Sequence, residues 1–330
     1  MNRRHGAASW LAACLFGGLL VGAAAPAIAG NPSSDVDQAA MNAYRHANAI
    51  TNWPAKKLKK AIPELKQLQP VDDQSHLAAI LSAVNGVLAA SWKDFPGVTS
   101  TELIAEDRRP IADYSQNPVT VTGGGVTVAG RSNGGQADHI EEQFRYTISV
   151  NPPGSAKIAE ARFDAAGNDP NLGSGRVGFL RTSGFASQPL FFNAANQKLS
   201  DFRYLGTQEV DGRPTEVVAF AEHPDPSGVL SSWSLGGHAI PVLLEGVAWI
   251  DPSDFHIAQM RTQLLAEQPK LHFGKMTTII KFKQQELAGG VTPLWLPDSV
   301  RVEAEVGDVQ FLNIHRFSDY KPSGAAVPGT

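Results

Sequence analysis

The sequence predicts an α+β protein in which N-terminal helices pack on a curved, mainly antiparallel β-sheet. Three observations lead there. Apolar residues recur at helical spacing as far as Phe95, and after Phe95-Pro96-Gly97 the period shifts towards two. Asp211-Gly212 and Gly307-Asp308 sit between strand-like runs and fit two-residue hairpin turns of types I′ and II′. The run from Gly246 to Arg261 holds two further strand-like stretches around Asp251-Pro252-Ser253-Asp254, where Asp251 caps turn amides and Pro252 presets φ for a type I turn. Hairpins in succession after helices argue for α+β rather than alternating βαβ units.

Residues 1–29 read as an export signal: Arg3 and Arg4, an apolar run from Ala7 to Ala25, then Ala27-Ile28-Ala29 ahead of Gly30. Cleavage is expected after Ala29. Leu11-Ala12-Ala13-Cys14 has the outline of a lipoprotein box, but Cys14 lies inside the apolar run and reads as part of it. Arg3-Arg4 is followed by His5-Gly6, which is unlike a twin-arginine signal. Cys14 is the only cysteine, so the exported chain has no disulfide and no cysteine metal ligand, and its stability must come from a core. Losing Arg3 and Arg4 takes the formal net charge from −4 to −6, a mildly acidic balance that disfavours nucleic acid or anionic headgroups as the main partner. No later apolar run is long enough to span a bilayer.

The exported chain, 30–330, reads as one domain with a helical part (30–96), an antiparallel sheet (97–322) and a mobile tail (323–330). Asn31 to about Asp37 reads as a polar, mobile lead-in. Leu58, Ile62, Leu65 and Leu68 alternate with Lys56, Lys57, Lys59, Lys60 and Lys66, and Pro63 should split this stretch into two short helices. Its lysines read as a solvated face, with an acidic partner as the alternative. Leu77, Ile80, Leu81, Val84, Val87, Leu88 and Ser91 then mark a longer helix, with Asp73 or Ser75 available as its cap. Strands are expected over 101–107, 140–150, 157–164, 177–182, 202–210, 214–222, 242–250, 255–265, 277–284, 300–306 and 309–317. Gly-rich 120–135 reads as a loop or loose hairpin, and Pro189-Leu190-Phe191-Phe192 as the start of a short helix. The two turns set registers. One pairs Val210 with Arg213, Tyr204 with Ala219 and Leu205 with Val218; the other pairs Val306 with Val309, Ala304 with Phe311 and Val300 with His315. Val300, Val302, Ala304 and Val306 alternate with Arg301, Glu303 and Glu305, so one face is wet, and Leu312 and Ile314 share it.

No motif identifies chemistry. Gly173 to Gly178 matches GxGxxG in form but lacks the strand before and helix after that a dinucleotide site needs, so it reads as a turn. No two of His46, His76, His139, His223, His238, His256, His272 and His315 have the spacing of a local zinc pair, and neither a metal nor another cofactor is expected. Ser183 and Ser187 have no identifiable base, and Glu141, Glu142 and Glu222 read as solvent-exposed. Asp251 and Asp254 read as turn caps rather than Ca²⁺ ligands. Trp249, Phe255, Phe282, Trp295 and Phe311 lie on separate C-terminal strands or their ends. They are either ordinary core or the lining of an open apolar groove.

The Gly246–Arg261 hairpin, with its Trp249-Ile250-Asp251-Pro252, resembles those of exported LolA/RseB-type half-barrels. Phe202 to Gly206, Val210 to Arg213, Val217 to Phe220, Trp295-Leu296-Pro297, His315 to Tyr320, Thr182 to Phe185 and Ile62 to Leu65 are similar to a group of exported bacterial proteins of unassigned function. The resemblance covers most of the exported chain. It implies a LolA-like half-barrel in the periplasm or secreted. The function it implies is non-catalytic: carrying lipid, lipoprotein or apolar peptide in the concave face, with the five aromatics as groove candidates. The alternative is a protein-interaction, sensor or scaffold module of the cell envelope with a filled core, for which the lysine-bearing helix or a strand edge would serve a partner. A hydrolase is the third reading. The helical preface departs from simple carriers. An open cavity, a plugged sheet or a cleft with clustered His and acids would separate the three.

Overall fold

The computed structural model describes residues 20–21, 35–93, 95–111, 121–123, 126–128, 138–150, 158–168, 180, 182–224, 231–235, 238–268, 273–287, 293–306 and 309–323. The cleavage site, the GxGxxG match and the Gly307-Asp308 turn lie outside them.

Helices come first: α1 (Asp35–Arg45), α2 (Ala55–Ala61) and α3 (Leu77–Lys93). α1 starts at Asp35, within the stretch expected to be a mobile lead-in. Pro63 divides the lysine-rich segment as its missing N–H requires. α2 ends at Ala61, and a 3-10 turn, Pro63–Leu65, follows. Asp73 accepts the Ser75 amide at 2.9 Å and its hydroxyl at 2.7 Å, fixing the turn that leads into α3.

The main sheet has eleven strands, all neighbours antiparallel. They are β1 (Gln69–Pro70), β2 (Val98–Pro110), β3 (Asp138–Val150), β4 (Ile158–Phe163), β5 (Ser200–Val210), β6 (Arg213–Glu222), β7 (Leu244–Ile250), β8 (Ile257–Leu264), β9 (Phe273–Gln285), β10 (Leu294–Val306) and β11 (Val309–Pro322). Their spatial order is β1-β5-β6-β7-β8-β9-β10-β11-β2-β3-β4. The two ends of that order do not pair with each other, so this is an open α+β half-barrel. Smaller pairings join 20–21, 231–235 and 238–242, and 121–123 with 126–128.

The β5–β6 turn has φ of 49° at Asp211 and 81° at Gly212, both positive as type I′ requires, and Val210 pairs with Arg213. Farther along, the register differs from the expected one. Tyr204 pairs with Val218 and Arg203 with Ala219, because a bulge removes Leu205 from the ladder. Gly206, at φ 122°, makes that bulge, and a Cβ there would sit 2.0 Å from the Gln69 carbonyl oxygen. In β10–β11 the expected pairs are all present: Val306 with Val309, Ala304 with Phe311 and Val300 with His315. The strand expected over 177–182 is not one at its described residues, Leu180 and Thr182. Here the backbone is held by side chains instead, as described below.

Both faces of the sheet are covered around β5, β6 and β7. On the inner side α3, the segment Phe185–Phe192 and strand residues such as Val218, Phe220, Ala248, Met260, Ile280 and Val300 form the largest apolar cluster. On the outer side Leu58, Ile62, Leu65 and Leu68 pack on Leu205, Val217, Ala219, Val247 and Trp249. α1 adds Ala40, Met41 and Tyr44 against Ala221, Leu243 and Leu265. Towards β10 the outer side is wet: Arg301 and Glu303 are exposed, with Leu312 and Ile314 half-buried among them.

Candidate functional site

One cleft opens where the C-terminal half of α3 meets the β7–β8 turn and the start of β10. Val84, Leu88, Trp92, Phe95, Phe255, His256, Phe282 and Trp295 are among its walls. The helical spacing that buries Val84 carries Leu88 and Trp92 to the same face. Asp251 builds the turn by accepting the Ser253 amide at 2.9 Å and its hydroxyl at 2.6 Å, while Asp254 accepts the His256 amide at 3.0 Å. The loop runs two residues beyond the expected four. Phe255, at φ 57°, donates its amide to the Asp251 carbonyl at 2.8 Å and lies on the cleft. His256 stacks on Trp295, centroids 5.2 Å apart at 21°, and its burial lowers the imidazole pKa against the pull of Asp254. Trp92 and Phe95 touch at a centroid distance of 4.6 Å.

The cleft is nearly full. Its cavity volume is about 30 Å³, room for about two waters and not for an acyl chain. The indole N–H groups of Trp92 and Trp295, both on its wall, are buried without a hydrogen-bond partner among the described residues. Of the five aromatics expected to line a groove, the structure brings Phe255, Phe282 and Trp295 together here. Phe311 belongs to the inner cluster away from the cleft, and Trp249 faces the outer side under α2, completely buried.

A second constellation fills the sheet around β2, β3, β4 and β11. Arg162 donates Nε and Nη2 to Glu102 at 2.5 and 2.8 Å, and His315 Nδ1 lies 2.8 Å from the same carboxylate. Arg162 and Glu102 are 3% and 0% exposed, so the pair is shielded from solvent. Burial pushes Glu102 up, but Arg162 and His315 outweigh it and bring its pKa down to about 2. Glu160 accepts the amides of Gly184 and Phe185 at 2.9 Å and of Ser187 at 3.1 Å, together with the Tyr146 hydroxyl. Glu106 accepts the Leu180 amide at 3.0 Å, and Asn313 donates to the Leu180 carbonyl at 2.8 Å. Among the described residues this strap, Leu180 and Thr182–Ser187, has no strand partner, and these side chains take up several of its backbone groups on the inner side of the sheet. Phe185 then packs edge-on to His315 and Phe317.

The polar constellation was invisible to sequence reasoning. Its one trace is in β2, where Ser100, Glu102 and Glu106 point inward at the period of Val98 and Ile104 while Leu103 and Ala105 face out. Glu222, expected to be solvent-exposed, is 3% exposed and accepts the Leu244 amide at 2.7 Å, because its strand is covered on both sides. Glu141 is exposed as expected. Ser187 is buried and donates its hydroxyl to the Gly184 carbonyl at 3.0 Å. Among the described residues no group of three His, Cys, Asp or Glu is placed to hold a metal.

No family model matches the chain, and no curated protein matches it. Among solved structures it is similar to a DUF1329 family protein from Desulfovibrio piger, with a TM-score of 0.39 and 10% identity over 76% of this chain and 94% of that one. It is also similar to a candidate outer membrane lipoprotein-sorting protein domain from Vibrio parahaemolyticus, with a TM-score of 0.32 and 11% identity over 75% and 94%. A LolA superfamily protein from Nitrosomonas europaea matches with a TM-score of 0.32 and 10% identity over 76% and 94%.

Proposed function

We propose that this protein is a non-catalytic binding module of the cell envelope, periplasmic or secreted, which fills its own half-barrel and meets its partner through its surface. The observation that carries this reading is the filled inner side. α3 and Thr182–Phe192 occupy the place a cargo would take, and about 30 Å³ remains in the cleft. The buried acids support it too, since Glu106 and Glu160 hold the strap's backbone.

The second reading is a carrier of lipid, lipoprotein or apolar peptide with α3 as a lid, and one feature favours it. Only Ile80 and Val84 of α3 are fully buried, and beneath its C-terminal half lie Phe255, Phe282 and Trp295 with the two unpaired indole N–H groups. Native mass spectrometry and solvent extraction of protein purified without detergent separate the two. A module with a filled core shows the polypeptide mass alone. Extracted lipid or peptide, diminished in Phe282→Ala or Trp295→Ala, would overturn that reading and establish the carrier.

A further inference from the structure

We propose that the outward face of α2 docks on the headgroup surface of an anionic phospholipid bilayer. Leu58, Ile62, Leu65 and Leu68 fix this segment to the outer side of the sheet and are essentially unexposed. Since successive helical residues turn by about 100°, Lys56 and Lys60 point away from Leu58, with Lys57 beside them. Lys56, Lys57 and Lys60 are exposed, as is Lys66 just beyond, and Lys59 is tethered by a 2.9 Å bond to the Leu68 carbonyl. None of Lys56, Lys60 and Lys66 has an acidic partner among the described residues; the nearby Glu64 pairs instead with Arg261. Positive charge is therefore concentrated on one rigid helix of a chain whose formal net charge is −4.

The kind of charge selects a bilayer over an acidic protein. All the exposed cations on this helix are lysines, compact charges on flexible stems that follow mobile phosphates, and the planar fork that reads a fixed carboxylate is absent from it. At its leading edge stands Trp53, half-buried, with Lys57 Nζ 3.5 Å from the ring centroid and its own N–H donated to the Asn48 carbonyl at 2.7 Å. The indole packs on the outer apolar cluster and holds Lys57 in place on this face. The chain-wide acidic balance argues against such a partner only on average. A charge is felt within about 10 Å at moderate salt, so the local face decides.

This proposal goes beyond the filled-core reading and fails separately from it, because cargo content and vesicle binding are independent measurements. The purified protein is sedimented with phosphatidylcholine vesicles and with vesicles in which roughly a third of the lipid is phosphatidylglycerol. Binding is expected only to the second kind and should fade as salt is raised from about 50 to 500 mM. Replacing Lys56, Lys57, Lys60 and Lys66 together by Ala should weaken binding about 100-fold or more while the circular-dichroism spectrum stays that of the folded wild type. Lys60→Glu alone should weaken it more than Lys60→Ala. Equal binding to both vesicle types, or undiminished binding by the fourfold variant, overturns the proposal. Binding of poly-glutamate without vesicle binding also overturns it and assigns the face to an acidic protein.

Discussion

Replacing Arg162 by Met removes the guanidinium from a site where Glu102 is completely shielded from water. Glu102 then loses two charge-assisted hydrogen bonds, at 2.5 and 2.8 Å, and keeps only His315 as a close partner. Each such bond contributes about 1.5–3 kcal/mol, and a buried carboxylate stripped of its cation carries a desolvation cost of several kcal/mol. A net loss of about 3–5 kcal/mol is expected, a large share of the stability of an ordinary domain. Urea denaturation followed by circular dichroism gives the midpoint and slope for wild type, Arg162→Met, Glu102→Leu and the double variant. In the double variant Glu102 and Arg162 go together, and the nearby Glu160 keeps its strap amides, so it should recover most of the loss and show a coupling of about 2 kcal/mol or more. A single-variant loss under about 1 kcal/mol, or strictly additive losses, would refute the view that this pair is a mutually dependent structural unit.

The remaining expectations concern the sheet and one outer-side acid. Gly206→Ala forces a Cβ to within 2.0 Å of a backbone oxygen and should cost about 3 kcal/mol or more, whereas Gly212→Ala meets open space at φ 81° and should cost only about 1 kcal/mol. Equal melting temperatures for the two would show that the bulge is misplaced. Glu245 accepts the Ile50 amide at 2.7 Å, and its burial raises its pKa to about 7. The folded state therefore binds the proton more tightly than the unfolded chain. The stabilisation is complete below about pH 4.5 and is lost as pH rises through 7, an effect of about 2–3 kcal/mol. Glu245→Gln should flatten that part of the pH–stability curve; parallel curves for the two proteins would count against it.

Local chemistry made several elements legible. Asp211-Gly212 announces its turn because both positions need positive φ, and Pro63 announces its break because it lacks an N–H. The β10–β11 register, Val306 opposite Val309, is the one a two-residue connection at Gly307-Asp308 predicts. What failed depended on contacts far away in the chain. The bulge at Leu205 arises because β1, some 135 residues upstream, presses a carbonyl against Gly206. Trp249 was grouped with Phe282 as either core or groove lining because β7 is apolar on both faces, Val247 and Trp249 on one and Ala248 and Ile250 on the other, so periodicity gives no side. Glu102, Glu106 and Glu160 carry no local signal of burial, since their partners are distant in the chain: Arg162 and His315 for Glu102, and the strap's amides for Glu106 and Glu160. The cleft was half legible: three of its aromatics come from strands or turns, while Trp92 and Phe95 close it from the helix side.

The pairing of β2 with β11 has a consequence for the order in which this chain can fold. Glu102 and His315 meet across 213 positions, and along the whole of β11 the partner is a strand made in the first third of the chain. Strands β5 to β10 can assemble as consecutive neighbours, and β2 to β4 likewise, but only the last strand joins the two groups. A chain delivered from its N-terminus must therefore keep two incomplete sheets, each with a bare edge, until its final residues arrive. Such distant contacts make folding slow, because the loop entropy is lost before the closing contacts form. The interval before β11 docks is when this protein is most open to aggregation, and when a chaperone that masks strand edges would help it most.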